Sequence, residues 1–181
     1  MIGVGYSNGG QLVMRLVHEA PELLAGAVVI GATWPVPDDV LLPGVVPAPV
    51  PMPMTLVHGT RDPIVAYAGG PMPWWAARLF KVGGSALSAP ETARHFAERN
   101  GIVAEPVTTE VPHRAGSPRR TRVERTEYRD PGRPAVVLHT VHGGGHTVPG
   151  PRRAPRILGR TTADVSVAEL VAEVIAEASR V

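Results

Sequence analysis

Five residues near the start of the chain restrict its fold more than any other feature. Gly5-Tyr6-Ser7-Asn8-Gly9 matches the pattern G-x-S-x-G, and its flanks give the match its meaning. Ile2-Gly-Val-Gly-Tyr6 is short and apolar, as a buried strand is. From Gly9-Gly10 to about Glu19, Leu12, Val13, Leu16 and Val17 recur at helical spacing, and Pro21 ends the run. A strand turning sharply into a helix at a glycine-flanked serine predicts a nucleophile whose hydroxyl is presented on the turn. Side chains at positions 5 and 9 are expected to collide as the backbone reverses. The Asn8 N–H, at the helix N-terminus, is expected to face a developing oxyanion.

The same alternation continues. Ala25 to Gly31 is an apolar, β-branched run of the kind that a strand covered on both faces requires, and Met54 to His58 reads as a third strand. Between them, residues 35–53 form an irregular proline-rich excursion. A loop carrying Trp74 and Trp75 leads to a helix opened by the capping box Ser88-Ala-Pro-Glu91 and stopped at Gly101. Thr121 to Arg129 alternates like an exposed strand, and Ala135 to Val141 is a fourth buried one. A second capping box, Ser166-Val-Ala-Glu169, opens the last helix, with Leu170, Val171, Val174 and Ile175 as its apolar positions. Short apolar strands alternating with helices predict an α/β fold with a mainly parallel sheet flanked by helices.

Composition removes several function classes. The 181 residues include 44% hydrophobic and 19% charged side chains, ordinary for a globular chain. No apolar run approaches the roughly 18 residues of a membrane span. A net charge of +2 gives nucleic-acid binding no support, and the arginines from Arg114 to Arg133 are interleaved with Glu124, Glu127 and Asp130, as on a salt-laced exposed hairpin. Cysteine is absent, which excludes disulfides and thiolate metal sites. The chain opens on a strand-like segment and not on the basic stretch of a signal peptide.

A serine nucleophile needs a base, and the base needs an orienting acid. His58-Gly-Thr-Arg-Asp62-Pro63 directly follows the third strand, which makes Asp62 the first candidate acid and Asp38 or Asp39 the second. Gly143-Gly-Gly-His146 follows the fourth strand, so His146 is the candidate base. Ser7, Asp62 and His146 thus fall in the order serine, acid, histidine. The spacing of His139, His142 and His146 invites a metal reading. Positions 139 and 142 differ by three, however, and so point to opposite faces of a strand; no metal or cofactor is expected. His142-Gly-Gly-Gly145 matches an oxyanion string of lipases, but it lies after the last strand and is read as the loop carrying the base. His18 and His95 sit on helices and are expected to be structural or solvated. Trp34, Trp74 and Trp75 are candidate substrate-binding walls, with ordinary loop packing the alternative.

"GYSNGG", "HGTRDPIV", "LGRTTADVS" and above all "GGGHTVPG" resemble segments of the polyhydroxybutyrate depolymerase and feruloyl esterase-like branch of the α/β-hydrolase fold. The resemblance implies an esterase with Ser7 as nucleophile, Asp62 as acid and His146 as base. It implies hydroxyalkanoate esters or oligomers, or feruloyl or acetyl esters, as substrates, and relatives with this pattern are often exported. It further implies about four strands ahead of the nucleophile strand, so residues 1–181 are expected to be the C-terminal half of such a domain. The second oxyanion donor would then come from a loop outside this chain, and the nucleophile strand would be an open edge. Two alternatives stay open. One is a catalytically silent fragment that self-associates through that edge; the other is a peptidase or thioesterase of the same fold.

Overall fold

The computed structural model describes residues 1–40, 47–71, 74, 78 and 83–180. Along the chain run β1 (Ile2–Tyr6), α1 (Asn8–Glu19), β2 (Gly26–Ile30), β3 (Met54–Gly59), β4 (Gly70–Pro71), β5 (Ser85–Ala86), α2 (Ala89–Arg99), β6 (Val107–Val111), β7 (Arg122–Tyr128), β8 (Val136–His142) and α3 (Val167–Ala178). Six strands form one sheet in the order β1-β2-β3-β8-β7-β6. The first three and β8 are parallel, while β7 pairs antiparallel with β8 and β6 antiparallel with β7. The α/β expectation therefore holds, with a mixed sheet whose larger part is parallel.

β2 explains the layering. All five of its residues are buried. Ala27 and Val29 join a core with Val13, Met14, Val17 and Phe96 from α1 and α2, and Val28 and Ile30 join a second core with Leu170 and Val174 of α3. Successive strand side chains alternate between faces, so a five-residue apolar run is stable only where helices cover both. Both predicted capping boxes form. The Ser88 and Ser166 hydroxyls accept the N–H of Glu91 and Glu169, and each glutamate reaches back to its N-cap N–H. A cap of this kind stabilises a helix by about 1 kcal/mol.

Along the elements, the structure departs from the sequence expectations at α1, at β6 and at Trp74. Leu12 is 58% exposed, and Met14 takes the buried position on α1 instead. β6 went unread because Val-Thr-Thr-Glu-Val at the far sheet edge buries neither face and so carries no alternation. Trp74 and Arg78 are helical, not looped. The proline-rich excursion partly lies outside the described residues. Its described part includes a short 3-10 turn at Pro37–Asp39.

Parallel register brings the strand ends together. Tyr6 is opposite Ile30, Ile30 opposite Val57, and Val57 opposite His139. The segments that leave β1, β2, β3 and β8 therefore emerge along one edge of the sheet, where parallel sheets hold their ligands.

Candidate active site

Ser7 extends β1 by one residue, its N–H bonding the Ile30 carbonyl at 2.8 Å. Its φ of 54° makes it the one non-glycine residue with positive φ among the described residues. That conformation costs on the order of 1–3 kcal/mol and persists only where the surroundings impose it. The imposition comes from Gly5. A Cβ there would lie 2.2 Å from the Gly9 carbonyl oxygen and 2.6 Å from the Gly10 nitrogen, so β1 can meet the first turn of α1 only through a bare backbone. The expectation for Gly9 is corrected: a Cβ on it would meet nothing within 4 Å. The crowding is one-sided because β1 presses on the backbone of residue 9, while the Cβ position of residue 9 points into open space.

Asp62 is held by its own loop. Its Oδ1 accepts the N–H groups of Ile64 and Val65, both at 2.8 Å, and its Oδ2 accepts His146 Nδ1–H at 2.7 Å. The side chain is 0% exposed, and that of His146 is 3% exposed. Of the two second-ranked acids, Asp38 and Asp39, the latter goes elsewhere, its Oδ2 accepting the Ser85 N–H. His58 packs beneath Asp62, its Nε2 donating to the Val65 carbonyl at 2.9 Å and lying 3.6 Å from Asp62 Oδ2. Burial pushes the His58 imidazole below its ordinary range, which favours the uncharged form; the neighbouring Asp62 pulls more weakly the other way.

The loop carrying His146 is fixed by backbone. Gly143 N–H bonds Thr60 Oγ1 at 2.9 Å, Arg61 N–H bonds the Gly144 carbonyl at 2.8 Å, and His146 N–H bonds the Leu158 carbonyl at 2.7 Å. Glycine permits this approach: a Cβ on Gly145 would lie 2.0 Å from the Leu158 oxygen. The Tyr6 hydroxyl donates to the His146 carbonyl at 2.9 Å. With Nδ1–H committed to Asp62, Nε2 is left to accept, and Ser7 Oγ lies 2.9 Å from it. Asp62, His146 and Ser7 thus form one hydrogen-bonded line, although 139 residues separate Ser7 from His146. Asn8 is the first residue of α1, so its N–H is one that the helix cannot satisfy.

The tryptophans fare differently. Trp34 is 7% exposed and belongs to the core, with its ring stacked on His18 at 4.2 Å between centroids. That burial leaves it little surface for a substrate. Trp74 is 80% exposed, and Trp75 lies outside the described residues. His18 is structural, donating Nδ1–H to the Met14 carbonyl. Of the other two histidines in the metal-like spacing, His139 is buried in β8 and His142 pairs with Glu124 at 2.7 Å. No group of three or more potential metal ligands converges among the described residues. The arginines of the β6–β7 region pair as expected, Arg122 with Glu124, Arg125 with Glu127, and Arg129 with Glu127 and Glu177.

A cavity of about 100 Å³ opens between the first turn of α1, the segment after β2 and the segment after Asp62, lined by Gln11, Thr33, Asp39 and Val65 among others. A larger one, about 770 Å³, lies among Glu105, Arg129, Arg133, Glu177 and Arg180. Neither cavity is lined by Ser7, Asp62 or His146. Sequence reasoning missed Tyr6, Gly31 and His58. The first lies inside the serine motif and the last inside His58-Gly-Thr-Arg-Asp62, but nothing in those strings says what the side chains touch.

No protein-family model matches the chain. Among curated proteins it is similar to "Putative esterase NocK" of Nocardia uniformis subsp. tsuyamanensis, with 30% identity over 174 residues covering 92% of this chain and 48% of that protein. The chain spans about half the length of the curated relative it matches.

Proposed function

We propose that this chain carries the catalytic residues of a serine-dependent carboxylic ester hydrolase. The observation that carries the reading is the line Asp62–His146–Ser7, with bonds of 2.7 and 2.9 Å and a nucleophile in a strained turn. The similarity to a protein described as an esterase supports the same chemistry. Ser7 Oγ attacks the ester carbonyl while its proton passes to His146 Nε2. Asp62 keeps the imidazole in the tautomer that can accept it and offsets the imidazolium charge. The Asn8 N–H, at the positive end of α1, stabilises the tetrahedral oxyanion. His146 then returns the proton to the leaving alkoxide, releasing alcohol. A water, deprotonated in turn by His146, hydrolyses the acyl-serine. On this reading the substrates are hydroxyalkanoate, aromatic or acetyl esters.

Hydrolysis of p-nitrophenyl acetate and butyrate, beside fluorophosphonate labelling, tests the reading. Turnover and label should both be present in the parent chain and both vanish in Ser7→Ala. Equal hydrolysis by the two proteins, or no label on Ser7, would sink it.

One observation favours a second reading, a silent chain that self-associates. β1 stands at the end of the sheet order with Val4 47% exposed, and edge strands of this kind recruit other strands. On that reading the protein sediments as concentration-dependent oligomers without turnover, and Val4→Lys returns it to monomer.

A further inference from the structure

We propose that Tyr6 is a positioning residue for the base, its ring face favouring the charged form of His146 and its hydroxyl fixing the backbone that carries the imidazole. The inference rests on His146 acting as the base described above. The two rings lie with centroids 5.0 Å apart and planes inclined by 38°. The Tyr6 hydroxyl donates to the carbonyl of that same histidine at 2.9 Å. One side chain therefore holds the residue at two points, across a separation of 140 positions. Gly31 makes room for both, since a Cβ there would sit 3.2 Å from the imidazole and 3.5 Å from Tyr6 Cε2.

The argument is one of charge. As Ser7 transfers its proton, His146 becomes a cation in a site from which water is nearly excluded. The titratable groups beside it are Asp62 and His58 on the β3 side and Tyr6 on β1. Asp62 is the counter-charge, while His58 is kept uncharged by burial and adds nothing favourable. An aromatic face within about 6 Å attracts a cation more strongly than it attracts the neutral form of the same ring. The contact with Tyr6 is thus stronger after proton transfer than before, which is the condition for lowering the barrier. Burial and the nearby Asp62 charge both raise the Tyr6 phenol above its ordinary value, so it stays a donor across the working range.

The test is a titration of the His146 imidazole by NMR in the full chain, with Tyr6→Phe and with pentafluorophenylalanine incorporated at position 6. Both replacements keep the ring's shape. Tyr6→Phe should leave the titration midpoint near that of the parent and speed exchange of the His146 amide several-fold, because the clamp on its carbonyl is gone. The fluorinated ring, with its face no longer negative, should move the midpoint down by about half a pH unit. It should also lower kcat with KM unchanged. A midpoint that ignores fluorination overturns the role of the ring, and unchanged amide exchange in Tyr6→Phe overturns the clamp. Neither NMR readout needs turnover. The esterase reading can therefore fail, by absent Ser7 labelling, independently of this one.

Discussion

Gly31 lies against His146: a Cβ on Gly31 would come within 3.2 Å of both Cε1 and Nδ1 of the imidazole. Gly31 has φ of +59°, and its N–H bonds the Val57 carbonyl at 2.9 Å, so its backbone is pinned as well as left-handed. Gly31→Ala should cost about 1–2 kcal/mol from the backbone alone. By displacing the imidazole it should slow fluorophosphonate labelling of Ser7 by roughly ten- to a hundred-fold. Thermal melting and labelling rates read the two effects separately. Labelling at the parent rate would show that the imidazole has slack to move.

Asp62 and Asp39 were ranked competitors in the sequence, and each now has a distinct partner. Asp62→Asn keeps an oxygen to accept the Ile64 and Val65 N–H groups, so the loop should survive. It no longer selects the Nδ1–H tautomer, and kcat should fall by roughly 10⁴, as in other enzymes of this arrangement. Asp39→Asn should leave ester hydrolysis within about two-fold of the parent, since Asp39 is bonded to Ser85 N–H and not to His146. A comparable loss in both variants would reassign the acid.

The two glycines that flank the serine should respond in opposite ways. Gly5→Ala drives a methyl into the Gly9 backbone and should abolish labelling and lower the melting temperature sharply. Gly9→Ala meets open space within α1, and should stabilise by about 0.5–1 kcal/mol because alanine loses less entropy in a helix. Melting curves of both variants decide the matter. A destabilised Gly9→Ala would mean that something the described residues do not include covers this turn.

Acid should destabilise the fold over a defined window. Burial lowers His18 and His139 to about 4, and burial likewise lowers His58 and His95. In the unfolded chain these groups titrate near 6.5. Between those values the unfolded state binds more protons, so stability is complete above pH 6.5 and is lost as pH falls toward 4. His18→Gln or His139→Gln should each flatten this dependence in melting experiments run from pH 7 to pH 4. A melting temperature that stays constant across that range would contradict the neutral, buried assignment.

Much of this protein is legible without coordinates, because local sterics and periodicity act within a few residues of one another. The strand–serine–helix turn, both capping boxes and the β-branched run of β2 all belong to that class. Chain-local patterns were silent on β6, whose polar residues bury neither face, and they misassigned Leu12, whose helical spacing matched a face that α1 turns outward. Only the tertiary structure decided that His146 bonds Asp62 and not Asp39, that Gly5 and not Gly9 bears the crowding, that Trp34 belongs to the core, and that Tyr6 reaches the His146 carbonyl. The first and last of those outcomes depend on how parallel strands align across 84 to 140 residues of intervening chain. A sequence pattern encodes which residues can meet a neighbour, while the register of β1, β2, β3 and β8 selects the neighbour they meet.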